Sequence, residues 1–590
     1  MYLIKFNRCR ITLIVTFALL TTILPLVHAD IPFSDNLLLS NETAITSNQN
    51  HPALAVGKNG VVHATWYDSR SQINSCDIYY SKSTDNGLTF GTSVKINGDM
   101  GCSYNTSQRT TIYVTDNTVY VAWTTDKLGN PDICLVKSTD EGDTWSTPVI
   151  INSNGGEAQT EPTIVCANTN TIFAVWLSFN WSDPQIPRTN VIFSRSNNGG
   201  TSWVEKIIND KNASLPYDFG KYPSMVLSDS GVLYITYSYN FAHIIIHKSI
   251  DNGEHWTKSV EVYGPNYTGG GNVYTPAIAC WGNRIFVAWE GDGVPINETR
   301  KDGIFLSMSD DHSTTWTAPK LINKNYSCPW RPSEDTTKSS SNVQIETDLM
   351  EKATRLYGDT AQVRLAVDRN GNPLITWSGR DDSWNGDSIY LSYSPDRGYN
   401  WNGDNRVNDA PTNDIWYGSN GYSSIGLDQF SNILYVAWDD YRNNSTSSIF
   451  VSFFQLPIAA SVDVSFSTIP LPAYNISWSG STAPDFLKYE IYFSLDNQFN
   501  KNTIFTILDK NQTTFSITNL SVTDVKYFKV RTYYTNGFYI DSDITVVQSE
   551  IDGYGWFGNN IILWWGFIFT LLCLSPLIII LYKIRRRKNA

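Results

Sequence analysis

Between residues 35 and 455 the chain repeats one order of apolar and polar positions. In residues 52–97, Ala53-Leu54-Ala55-Val56 is a short apolar run and Lys58-Asn59-Gly60 a turn signal. Residues 61–66 alternate apolar and polar and end on Trp66. Residues 77–81 and 93–96 are two further short runs. A period of two predicts strands with one face buried. Four such strands joined by tight turns predict one antiparallel blade of a propeller. The second run of each unit ends on an aromatic: Trp66, Trp123, Trp176, Tyr237, Trp289, Trp377 and Trp438. Seven blades are predicted on this count, with six as the alternative.

The seventh unit stops after residues 449–453 and has no fourth run. Fourth runs elsewhere end on apolar residues followed by Asn, as in Ile96-Asn97, Ile151-Asn152, Ile208-Asn209, Ile322-Asn323 and Val407-Asn408. Leu37-Leu38-Leu39-Ser40-Asn41 has the same form and precedes the first unit. It is expected to pair as the outer strand of the last blade and so to protect that blade's edge.

Six units carry an eight-residue phrase, at 83–90, 138–145, 196–203, 249–256, 309–316 and 394–401. Its acidic position is Asp85, Asp140, Asn198, Asp251, Asp311 or Asp396. A short acceptor side chain can take backbone N–H groups within a tight turn, and Gly admits positive φ there. Ser313 stands for Gly in the fifth copy, which predicts a looser turn. The phrase resembles the Asp box, or BNR repeat, of the sialidase superfamily, over roughly residues 35–455. That resemblance implies an all-β propeller whose boxes are structural. Sialidases of this type have six blades and open on a Phe/Tyr-Arg-Ile-Pro motif with the first of three carboxylate-binding arginines. Here the matching place reads His51-Pro52-Ala53-Leu54, without arginine.

Residues 457–548 resemble a fibronectin type III β-sandwich. Trp478 suits its second strand, and Asn519-Leu520 with Tyr527 its tyrosine corner. The two ends add topology. Basic Lys5, Arg8 and Arg10, an apolar stretch at 11–27 and Val27-His28-Ala29 read as a signal peptide over 1–29. After a linker at 549–560, residues 561–582 are an apolar stretch long enough for one transmembrane helix. The basic tail at 583–590 is expected to hold that end in the cytoplasm. A cell-membrane, single-pass protein with a large extracellular portion follows. Asn-x-Ser/Thr sequons such as Asn105, Asn180 and Asn266 suit a glycoprotein. Cys76 and Cys102 flank one repeat and are able to bridge, whereas Cys134, Cys166 and Cys280 lie in strand-like runs.

The formal net charge is −13, with no basic run outside the tail, which excludes a nucleic-acid partner. The histidines are scattered, so no metal site and no cofactor are expected, with structural calcium on Asp-rich loops left open. Ligands of a propeller gather around the channel, on the face of the loops after the second strands. The catalytic candidates there are Arg109, Arg380, Asp381, Tyr417 and Asp68. The ligand-binding candidates are Arg70, Trp181, Glu290, Asp292 and Arg442. Asp68-Ser-Arg70 and Asp439-Asp440-Tyr-Arg442 are variants of one motif, which favours a turn over catalysis. Arg109 breaks the repeat at its position, which favours function. The expected function is binding of glycans or cell-surface proteins without turnover. The alternative is an exo-acting, sialidase-like glycoside hydrolase on terminal acidic sugars.

Overall fold

The computed structural model describes residues 33–40, 47–70, 76–103, 109–153, 156–180, 188–209, 218–264, 272–296, 299–323, 362–380, 387–409, 422–440, 446–456, 462–467, 473–481, 486–495, 499, 502–518, 526–534, 539–542 and 544–547. The expected signal peptide, linker, transmembrane helix and basic tail lie outside these residues. So do Trp181, Asp381, Tyr417, Arg442, Asn519 and Leu520, and the side chain of Arg380. No helix of the described residues is long and apolar enough to cross a membrane.

The chain divides into two compact units. In the first, the described strands form seven antiparallel groups of four, here sheets I to VII. Sheet I, for example, contains Gln49–Val56, Val62–Asp68, Asp77–Ser83 and Val94–Lys95. Sheets II to VI begin with Thr111–Thr115, Ala158–Cys166, Asp218–Leu227, Asn272–Trp281 and Arg364–Val367, and sheet VII with Ser423–Asp428. Sheets III and IV also touch through a short parallel pairing of Arg188 with Asp218 and Thr189 with Phe219. Each first strand neighbours those of the preceding and following sheets, and the last neighbours the first. The first strands therefore line a common axis, in a propeller-like all-β ring.

The closure expected from residues 37–41 is present. Leu37 pairs with Val451 and Leu38 with Phe450, which makes Leu37–Leu38 the outer strand of sheet VII. Leu39 N–H donates to the Ile449 carbonyl at 2.9 Å, and Gln49 N–H to that of Ser447 at 3.1 Å.

The cores lie between successive sheets. Trp66, Trp123, Trp176, Tyr237, Trp289, Trp377 and Trp438 are at most 2% exposed. Burying one such side chain contributes about 1.5–3 kcal/mol. The repeated Asn at the end of the fourth run has a definite task. Asn97, Asn152, Asn209, Asn323 and Asn408 each accept a backbone N–H from the third strand through Oδ1, at 2.7–3.1 Å.

The eight-residue phrases share one hydrogen-bond scheme. In the first, Ser83 Oγ accepts Gly87 N–H at 2.9 Å, and Asp85 Oδ1 accepts Thr89 N–H at 2.9 Å. Thr89 Oγ1 donates to Asp85 Oδ2 at 2.6 Å. These bonds hold the Asp85 carboxyl down at about 2. Asn198 keeps the acceptor and turns its amide into a donor to Ser202 Oγ at 2.8 Å. The glycine also meets the preceding sheet. A Cβ on Gly142 would stand 2.0 Å from Tyr80 Oη, and one on Gly253 would stand 2.2 Å from Phe193. The fifth turn is not looser. Ser313 adopts φ 68°, and its N–H reaches Ser309 Oγ at 2.9 Å as in the other copies. The hydrogen bonds hold the shape, at a left-handed cost of about 1–2 kcal/mol.

Lys82, Lys137 and Lys248 each send Nζ to a backbone carbonyl in the phrase of the next sheet, at 2.8–3.0 Å. Cys76 and Cys102 are disulfide-bonded, and Cys134 and Cys166 are buried thiols.

The second unit has two sheets. One pairs Val462–Ser467, Ala473–Trp478 and Thr514–Thr518. The other contains Asn502–Ile507, Phe486–Ser494, Lys526–Tyr534, Tyr539–Asp541 and Thr545–Val547. They share a core of Tyr474, Ile476, Trp478, Tyr489, Ile491 and Phe528. Phe528 is fully buried, whereas Tyr527, beside it on the same strand, is only partly so.

Candidate functional site

Strand register defines the site. In each sheet, one residue of the first strand pairs with the residue just before the buried second-strand aromatic. These are Ala53, Thr111, Thr163, Ser224, Ala277, Arg364 and Ser424. Six of the seven are small, and Arg364 stands alone among them. Two residues earlier comes a second level: His51, Arg109, Glu161, Tyr222, Thr275, Gln362 and Tyr422.

The backbone explains why this second level turns inward. Sheets I, III, IV and V have a register shift here, with two residues opposite one. Such a bulge re-aims a side chain. The first residue of each pair takes a left-handed φ: 56° at His51, 57° at Glu161, 53° at Tyr222 and 44° at Thr275. In all four the next residue is proline. That backbone is unfavourable before proline, and such strain gathers at functional sites. Gln362 shares the conformation, with φ 46°.

The ring residues meet across the axis. Arg109 Nη2, from sheet II, donates to Gln362 Oε1 of sheet VI at 3.2 Å. Its guanidinium also lies 5.6 Å from the ring centre of Tyr222 in sheet IV. Arg364 Nη2 reaches the same Gln362 Oε1 at 3.5 Å, and Arg364 Nη1 donates to the Val363 carbonyl at 3.1 Å. One amide oxygen thus stands between two guanidiniums. Neither has a carboxylate within salt-bridge distance among the described residues. The His51 ring packs on Tyr422 at 3.7 Å and edge-on to Tyr67 at 5.8 Å.

The electrostatics follow from this crowding. Burial, then Arg109 and Arg364, push His51 down to about 3, so its imidazole is neutral at physiological pH. Burial and Arg109 bring Arg364 down to about 9, with Tyr422 opposing. The Tyr222 phenol is raised by burial and by Glu161, while Arg109 lowers it. Lys221 is 6% exposed, with its ammonium 5.7 Å from the ring centres of Phe179 and of Phe241. Burial lowers it to about 8, against the pull of Glu161. Glu161 Oε2, Thr275 Oγ1 and His51 Nδ1 are buried and have no hydrogen-bond partner among the described residues. Leaving one such group unsatisfied costs about 1–3 kcal/mol.

Of the residues predicted from sequence, Arg109 lies at the centre of this ring. It occupies the place before the proline position, and Thr110 takes the proline's own place. Glu290 pairs with Tyr274 and is charge-coupled to Tyr222, which puts it beside the ring; Asp292 follows on the same strand and is exposed. Asp68 and Arg70 are engaged elsewhere. Asp68 is fully buried, accepts Trp66 Nε1–H at 3.1 Å and Ser47 Oγ–H at 3.2 Å, and is ion-paired with Arg70. Arg70 lies over the Tyr79 ring at 4.0 Å and reaches Ser93 Oγ at 3.2 Å. Trp438 Nε1–H donates to Asp440 in the same way, at 3.1 Å, so the Trp–Asp hydrogen bond of the motif recurs in sheet VII. Asp439 accepts the Tyr422 N–H at 2.6 Å and the His51 N–H at 3.4 Å, and burial raises its carboxyl well above the usual range. Arg380 ends the second strand of sheet VI. His51, Tyr222, Thr275, Gln362, Arg364 and Tyr422 were not singled out as site residues. The recurring X-Pro pair at the head of a first strand is the signal that marks three of them.

Among the described residues no group of three or more His, Cys, Asp or Glu could hold a metal ion. No family model and no curated protein matches the sequence. Solved structures similar to it include a Dyadobacter fermentans protein of unknown function, at 10% identity and TM-score 0.41, over 72% of this chain and 98% of that one. A Penicillium chrysogenum alpha-L-arabinanase complexed with arabinobiose has 12% identity and TM-score 0.39, over 72% and 98%. A Trypanosoma rangeli sialidase in complex with the inhibitor DANA has 12% identity and TM-score 0.35, over 87% and 94%.

Proposed function

We propose that this chain is an extracellular, seven-bladed, sialidase-like propeller that binds a carboxylate-bearing glycan at the mouth of its channel, without turnover. A fibronectin type III-like domain over 457–548 is the stalk, and the helix at 561–582 the membrane anchor. The observation that carries the reading is the pair Arg109 and Arg364. Both guanidiniums lean on the single Gln362 amide oxygen. A carboxylate offers two oxygens and a full charge, and guanidinium–carboxylate bonds are about twice as strong as neutral ones. Neutral His51, packed against Tyr422, adds an acceptor for a sugar hydroxyl. Absence of turnover rests on His51-Pro52-Ala53-Leu54, where the resembling family places an arginine.

One observation favours the alternative, an exo-acting glycoside hydrolase. Glu161 and Tyr222 hold equivalent places on successive sheets and are charge-coupled. A carboxylate beside a phenol can activate it as a nucleophile.

A glycan array probed with the full-length chain separates the readings. Acidic glycans are expected to bind, neutral ones to stay at background, and Arg364→Met to lose the signal. Equal binding of neutral and acidic glycans contradicts the proposal. Release of fluorophore from a terminal acidic glycoside, lost in Tyr222→Phe, selects the hydrolase.

A further inference from the structure

The ring has two unlike arcs. Arg109 and Arg364 form a cationic one beside Gln362. Glu161, Tyr222 and Thr275 occupy sheets III, IV and V in succession and form the other. All three share the left-handed bulge, so their side chains leave the backbone in the same sense. Tyr222 fixes that sense as inward, because the Arg109 guanidinium lies 5.6 Å from its ring centre. Glu161 and Thr275 are 3% and 2% exposed, and Glu161 Oε2 and Thr275 Oγ1 have no hydrogen-bond partner among the described residues. Lys221, the cation charge-coupled to Glu161, is beyond hydrogen-bonding reach of that oxygen, between Phe179 and Phe241.

We propose that Glu161, Tyr222 and Thr275 form a second subsite, which holds an ammonium group of the same ligand, so that the bound saccharide is zwitterionic. The proposal rests on the carboxylate reading above and names the ligand class more closely. An ammonium suits the arc better than a hydroxyl because it brings a positive charge to a buried carboxylate and to an aromatic face, along with three donors. One N–H goes to the Glu161 carboxylate and another to Thr275 Oγ1. The positive charge lies against the electron-rich face of Tyr222. A hydroxyl also meets both oxygens, donating to Glu161 and accepting from Thr275 Oγ1–H, but it brings no charge to the buried carboxylate. The carboxylate of the ligand, across the ring, displaces the guanidiniums from Gln362.

The test is calorimetric titration of the full-length chain with four methyl glycosides: of glucose, glucuronic acid, glucosamine and 2-amino-2-deoxyglucuronic acid. The zwitterion is expected to bind about tenfold more tightly than the glucuronide. Glu161→Gln, which keeps shape and removes charge, brings that ratio close to one. Thr275→Val lowers it by about threefold. Zwitterion and glucuronide binding equally well overturns the inference and leaves the carboxylate reading standing. A ratio unchanged in Glu161→Gln also overturns it. Failure of all four glycosides to bind overturns both. Thermal unfolding of each variant separates lost recognition from lost folding.

Discussion

The two faces of the ring use repetition in opposite ways. The eight-residue phrases make the same bonds six times over, down to Asn198 and Ser313, which depart in identity and keep the geometry. The inward level of the first strands has seven positions, four of them set by the same bulge, and fills them with His, Arg, Glu, Tyr, Thr, Gln and Tyr. Where each unit needs the same contact, the residue recurs, because each contact closes the same gap against the preceding sheet. Where the units converge on the axis, the seven positions hold six residue types, and only Tyr recurs. On the function proposed above, sameness marks stability and difference marks recognition.

This contrast is most severely strained at the glycines of the phrase. Gly253→Val sets a Cβ against the Phe193 ring and imposes a left-handed φ of 81° on a branched residue. A loss of about 3–4 kcal/mol is expected, read as a large drop in unfolding temperature. Arg364→Met should do the reverse. It removes a desolvated cation from a layer of small residues, so stability holds or rises while affinity for an acidic saccharide falls at least thirtyfold. Stability lost along with affinity would mean that Arg364 is part of the scaffold.

Acid tests both faces together. His51 is held down to about 3 and His63, buried against Tyr80, to about 4. Both lie below the ordinary value near 6.5, so the unfolded chain takes up the protons first. Their neutral burial costs nothing above pH 6.5. Stability should fall as pH drops through 6.5 toward 4, and for His51 on toward 3. His63→Gln should flatten the slope in that window, measured by urea unfolding across pH. A slope unchanged in His63→Gln would show that its imidazole is protonated in the fold.

How much was legible in the sequence follows from the same contrast. The phrases, the terminal Asn of the fourth run and the closure by Leu37–Leu38 were readable because identical contacts demand similar residues. Arg109 was visible because it stood out from its neighbours. Arg364 and Gln362 were not, because their strand carries no proline to mark the level. His51, Tyr222 and Thr275 lay in plain view before prolines, but a bulge emerges only from pairing. Asp68 and Arg70 had the right chemistry at the wrong depth; they pair with each other, and Asp68 holds Trp66 as Asp440 holds Trp438.

The smallest expected effect is at Ser313. Gly is freer than Ser at φ 68°, so Ser313→Gly should stabilise by about 0.5–1 kcal/mol after the entropy of Gly is set against the relieved strain. Destabilisation would show that the Ser313 side chain makes a contact of its own at the sheet interface.

The central claim is that the seven ring residues at the channel mouth, and not the repeated phrases, recognise the ligand. Its most direct test is one titration of methyl glucuronide into the full-length chain and into Arg364→Met and Ser313→Gly, at one pH and salt concentration. The expected result is saturable binding to the parent and to Ser313→Gly with the same affinity, and at least thirtyfold weaker binding to Arg364→Met. Equal affinity in the parent and Arg364→Met would contradict the claim.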